Sequence, residues 1–143
     1  MIVQQISVFL ENRIGRLAEV AGILGDHDIN IRALSMADTA DFGILRLIVD
    51  DVERAIRILK DEGLTVGETD VVAVEVPDVP GGLAQLLRIL RDENVNVEYM
   101  YAFVKATARS AIMIFRFEDP RQALDALARH QVKTLPGAEL YRL

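Results

Sequence analysis

A repeat within the chain constrains its fold more than any other feature. The stretch Asn12 to Ile31 aligns without gaps on Asp78 to Val97 at an offset of 66, and seven of the twenty positions are identical. They are Gly15/Gly81, Leu17/Leu83, Ala18/Ala84, Ile23/Ile89, Leu24/Leu90, Asp26/Asp92 and Asn30/Asn96. Further on the offset becomes 68, pairing Asp51 with Asp119, Ala55 with Ala123 and Leu59 with Leu127. The change places a two-residue insertion in the hairpin of the second copy, where insertions are best tolerated. A chain of 143 residues repeated in this way is two small modules, expected at 1–69 and 70–143.

Periodicity within each copy follows one order. Val3 to Leu10 alternates as a strand does. From Gly15 the spacing becomes helical, with Leu17, Val20 and Leu24 on one side and Arg16 and Glu19 on the other. Strand character returns over Asn30 to Ala37 and Gly43 to Asp50. A helix follows from Val52 to Asp61, stopped by Gly63, and a last strand runs near Leu64 to Thr69. In the second copy the corresponding pieces are a helix from Gly81, strands Asn96 to Val104 and Ser110 to Glu118, a helix opened by Pro120, and a final strand over Leu135 to Arg142. Strand, helix, strand, strand, helix, strand is the ferredoxin-like βαββαβ unit, an α+β fold. The join Thr69 to Val71 has no linker composition, so the copies are expected to be docked.

Composition narrows the function. Apolar residues make up 51% and charged residues 27%, which suits a packed globular chain. A net charge of −6 without a basic run argues against nucleic acid. There is no cysteine, which excludes disulfides, thiolate metal sites and cysteine nucleophiles. Met1 to Leu10 does not read as a signal peptide and no stretch reads as a membrane span, so a cytoplasmic protein without membrane partners is expected. Catalytic signals are thin. His27 and His130 each stand alone at the end of a helix, Ser35 and Ser110 have no neighbouring histidine, and Asp38 and Asp41 read as turn chemistry. No catalytic residue, metal site or cofactor is expected.

The most specific local feature is the strand-to-helix turn, Asn12 to Leu17 in one copy and Asp78 to Leu83 in the other. Glycine there allows unusual dihedrals or close approach of another group. The first helical amides lack internal partners and sit at the positive end of the dipole, so they can receive a carboxylate. Asn12 or Asp78 beside them can accept from an ammonium group. The plainer alternative is that Asn12 and Asp78 cap their helices and the glycines only make the turn.

With these turns, the runs Gly15 to Ile31 and Gly81 to Val97, and the hairpin Ser35 to Gly43, the chain resembles a tandem ACT-domain protein, a regulatory module whose usual ligands are amino acids. The resemblance covers nearly all of the sequence. It implies two modules side by side in an eight-stranded antiparallel sheet with four helices on one face, and ligand sites between the glycine turn of one module and the strands of the other. Carried over, one candidate site is Asn12, Ile14, Gly15, Arg16 and Leu17 with the strand bearing Tyr99 and Tyr101. The other is Asp78, Pro80, Gly81, Gly82 and Leu83 with the strand bearing Ser35 and Asp38. Asn30 and Asn96 are second-tier candidates. The copies differ at Arg16/Gly82 and Asn12/Asp78, so the two sites are expected to be unequal. The implied function is an amino-acid-binding sensor, with a homodimer and a metabolic enzyme as expected partners. The rival is a regulatory subunit that docks such an enzyme without binding a ligand itself.

Overall fold

The computed structural model describes residues 1–38, 41–103 and 109–143, apart from the side chain of Asp38. The tips of both hairpins, and with them the two-residue insertion expected in the second, lie outside the described residues. The chain divides into two compact units: Gln4–Thr69, and Asp70–Leu143 together with Met1–Val3.

In the N-terminal unit, β1 (Val3–Glu11) leads to α1 (Arg16–Asp26), β2 (Ile31–Asp38), β3 (Phe42–Val49) and α2 (Val52–Asp61). Strand β3 pairs antiparallel with β1 on one side and β2 on the other, with Val8 opposite Leu45 and Leu34 opposite Leu47. The alternation seen in the sequence sends Ile6, Val8 and Leu10 of β1 and Leu45, Leu47 and Val49 of β3 to one face. There they pack with Val20 and Leu24 of α1 and Leu59 of α2. Each large apolar side chain buried in this way contributes roughly 1.5–3 kcal/mol.

Strand β4 (Thr65–Pro77) begins in the N-terminal unit and ends in the C-terminal one. Then come α3 (Gly82–Asp92), β5 (Val97–Ala102), β6 (Ser110–Phe117), α4 (Pro120–Arg129), β7 (Thr134–Leu135) and α5 (Gly137–Arg142). Strand β4 pairs antiparallel with β6 and with β7, and β6 with β5. Val72, Val74 and Val76 of β4 meet Leu86 and Leu90 of α3, Leu127 of α4, and Phe115 and Phe117, whose rings stack 5.3 Å apart.

The α+β class stands, while two details of the expected architecture do not. Seven strands and five helices are present among the described residues, instead of eight and four. The strands expected on either side of residue 70 are one element, because no turn residue interrupts Thr65 to Val76 in a way that requires the chain to bend. The final strand stops after two residues. Pro136 cannot donate to a ladder, and its carbonyl instead accepts from the amides of Glu139 and Leu140 to start a short helix that buries Leu140.

Four helices end alike. Asp28, Gly63, Asn94 and Gln131 have φ between 56° and 82°, and the next residue donates back to the carbonyl five positions earlier: Ile29 to Leu24, Leu64 to Leu59, Val95 to Leu90, Val132 to Leu127. This is the left-handed stop that satisfies the last carbonyls of a helix.

Candidate functional site

The beginnings of the same helices differ in pairs. Helices α2 and α4 are capped by Asp51 and Asp119, whose carboxylates accept from the amides of Arg54 and Gln122 at 3.2 and 3.1 Å. Helices α1 and α3 start from Gly15 and Gly81, at φ 89° and 85°, and glycine at that position has no side chain with which to cap its helix. The turns are closed by backbone bonds, Glu19 N to Gly15 O at 3.0 Å and Gln85 N to Gly81 O at 2.9 Å. The amides of Leu17, Ala18, Leu83 and Ala84 therefore lack the carboxylate that the other helix starts possess.

Asn12 donates its backbone amide to the Asp41 carbonyl at 2.9 Å, and Asp78 to that of Arg109 at 3.1 Å. Both residues tie their turn to the neighbouring hairpin. Around the turns apolar side chains are exposed: Ile14 completely, with Leu17, Val79 and Leu83 partly so. Pro80 is exposed as well.

Beside each turn lies a cleft, and the repeat relates the two. In the N-terminal unit it is about 260 Å³, lined by Phe9, Leu10, Glu11, Arg16, Phe42 and the return Gly63 to Thr65. In the C-terminal unit it is about 240 Å³, with Glu75, Val76, Pro77, Gly82 and the return His130 to Lys133 among its walls. The offsets of 66 and 68 match every wall residue of the first cleft except Phe42 to one of the second, Phe9 with Glu75, Arg16 with Gly82, Thr65 with Lys133.

Their chemistry has diverged. Arg16 binds Glu19 through Nη1 at 2.8 Å, its side chain is 19% exposed, and its Nε has no hydrogen-bond partner among the described residues. An unsatisfied buried donor costs about 1–3 kcal/mol, more when charged. Glu11 pairs with Arg13 at 3.4 Å, both well exposed. In the second cleft any side chain at position 82 is precluded, since a Cβ there would overlap the Pro77 carbonyl oxygen. Its charges, Lys133 and Glu75, pair with each other at 3.2 Å.

The remaining predicted residues are scattered within their own units. Ser35 is half-buried midway along β2, opposite Arg46, and Asp38 ends that strand opposite Gly43. Tyr99 is half-buried opposite Arg116, while Tyr101 is 9% exposed opposite Ile114. Asn30 and Asn96 follow the far ends of α1 and α3, roughly 16 Å along an 11-residue helix from the turns. Asn30 donates its amide to Asp50 Oδ1 at 3.0 Å and the Asn96 carbonyl accepts from Glu118, which makes both of them joints between elements.

Sequence reasoning missed Phe9, Glu11 and Phe42. Phe9 follows Gln5 and Ser7 on the polar register of β1, and a half-exposed phenylalanine there was the available signal. Of the histidines, His27 Nδ1 lies 2.8 Å from the Ile23 carbonyl, and His130 Nε2 lies 2.9 Å from Glu93. Arg129 bonds the same carboxylate at 2.6 Å. The hydrogen bond from Arg129, then that from His130, hold the Glu93 carboxyl below its ordinary range. Among the described residues no group of three metal-ligating side chains occurs.

The model of the ACT domain pair matches residues 1–143. The chain belongs to the ACT domain pair family. Among solved structures this ACT pair is similar to a protein of Bacteroides thetaiotaomicron, at 42% identity, covering 100% of this chain and 98% of the other with a TM-score of 0.94. The ligand-free regulatory subunit of aspartate kinase from Thermus thermophilus has 17% identity, coverage of 88% and 91%, and a TM-score of 0.66. Its counterpart from Thermus flavus has 17% identity, coverage of 88% and 90%, and a TM-score of 0.61. The two Thermus subunits share the fold of the ACT pair. No curated protein matches the sequence. Among the described residues no helix is long and apolar enough to cross a membrane.

Proposed function

We propose that this ACT pair is a non-catalytic regulatory protein that binds a small carboxylate metabolite, an amino acid, at its glycine turns. The observation that carries the reading is the contrast in capping: two helix starts are closed by aspartate, while at Gly15 and Gly81 glycine stands in the capping position. An open helix start offers directed amides and positive potential to a carboxylate. The aspartate kinase regulatory subunits with the same fold support a regulatory role. Calorimetry and thermal shift against the twenty amino acids test the proposal. A saturable heat with one of them, weakened at least tenfold by one or both of Gly15→Val and Gly81→Val in protein that still folds, is the expected result; silence with all twenty at millimolar concentration rejects it.

The exposed Ile14, Leu17, Val79 and Leu83 favour a second reading, in which the same turns dock an enzyme and bind no ligand. Co-purification of a metabolic enzyme that survives both glycine changes, together with silent calorimetry, would select it. A homodimer and a cytoplasmic location accompany either reading as proposals.

A further inference from the structure

We infer that the N-terminal unit alone holds a complete site for an amino acid with an apolar side chain, in the cleft between Arg16, Glu11, Phe9 and Phe42, and that the equivalent cleft of the C-terminal unit does not bind one. The inference rests on the reading of the chain as an amino-acid sensor and adds the place, the ligand class and the stoichiometry.

An α-amino acid presents a carboxylate, an ammonium and a side chain, and this cleft has a group for each. Arginine offers two hydrogen-bonding edges, and Glu19 occupies Nη1, which leaves the edge formed by Nε and Nη2. A turn of the guanidinium about its bond to Glu19 presents that edge to the cleft, where a carboxylate can take both N–H groups at once. The orphaned Nε is then satisfied by the ligand. Glu11 lines the same cleft and accepts from an ammonium group. Phe9 and Phe42, half and nearly two-thirds exposed, supply an apolar wall for the side chain. The volume of about 260 Å³ falls just below the roughly 300 Å³ at which drug-sized pockets begin, which suits a metabolite of amino-acid size.

The repeat supplies the internal comparison. At the three positions equivalent to Arg16, Glu11 and Phe9 the second cleft has Gly82, Pro77 and Glu75. The carboxylate anchor and the ammonium acceptor are both gone. The Pro77 carbonyl stands against Gly82, and Lys133 neutralises Glu75 across the cleft.

Titration calorimetry of the full chain with leucine, isoleucine, valine, phenylalanine and a set of polar amino acids decides the matter. The expected outcome is one apolar amino acid bound per chain. Leucinamide, which lacks the carboxylate, and 4-methyl-2-oxopentanoate, which lacks the ammonium, should each bind at least tenfold more weakly to the unaltered protein. Arg16→Gln and Phe42→Ala should weaken binding by a similar factor without changing the melting temperature of unliganded protein, and Lys133→Gln should leave it unchanged. Binding of an amino acid that is indifferent to Arg16→Gln, that occurs twice per chain, or that prefers a charged side chain overturns the inference and leaves the broader function standing. Absence of binding by every amino acid overturns both.

Discussion

At the scale of single residues, Arg16 and Gly82 occupy the same position of the repeat, and each is explained by its surroundings. Gly82 is required because the chain before α3 folds its Pro77 carbonyl onto the helix start, and even a methyl group would meet backbone that cannot move aside. Gly82→Ala should destabilise the protein by about 1–3 kcal/mol, the usual cost of overpacking, as measured by urea unfolding. Gly15 and Gly81 have open space around them, so their constraint is the positive φ alone. The sequence made the two positive-φ glycines legible as turns, but it hid the reason for Gly82, since a backbone clash across five residues leaves no pattern of residue types.

At the scale of elements, helix ends carry most of what distinguishes one part of this fold from another. The left-handed stop is legible where it falls on Gly63, Asn94 or Asp28 and illegible at Gln131, a residue type that seldom adopts it. Gln131→Gly should raise stability by about 1 kcal/mol and the melting temperature by a few degrees, because glycine relieves the strain of that position. The end of α4 is also tied to the end of α3, through Arg129 and His130 on Glu93. A carboxyl whose pKa is lowered on folding stabilises the fold above its ordinary value and loses that contribution as pH falls through the lowered one. Glu93→Gln should therefore lower the melting temperature at neutral pH, and the gap from the unaltered protein should close on acidification below the ordinary carboxyl value of 4.5. A gap that stays constant down to the acid transition would show that the bridge adds nothing; its solvent exposure keeps the effect small.

At the scale of the whole chain, the duplicated α+β plan was written in the spacing of Gly15, Leu24 and Asp26 against Gly81, Leu90 and Asp92, because identical local geometry demands identical residues at its critical points. What the spacing could not convey was the fusion of two strands into β4, since a strand that simply continues carries no punctuation. Pro136 was a visible mark against a long final strand, yet the apolar Leu135 and Leu140 around it fit a strand nearly as well as the short helix observed. The candidate site was half legible. Its glycine turns stand out in any reading, while Phe9 and Phe42 come together only through the pairing that sets Glu11 opposite Phe42 and Phe9 opposite Ile44. The Lys133–Glu75 pair in the walls of the second cleft has a bearing on how the proposed sensor would respond to its ligand. On the inference of one receptive cleft per chain, occupancy is not cooperative within a single molecule, for the steepness of a binding curve is bounded by the number of sites that share a transition. A lone chain would report concentration in a graded, hyperbolic manner, and any threshold-like response would have to arise where several chains, or a chain and an enzyme, change state together.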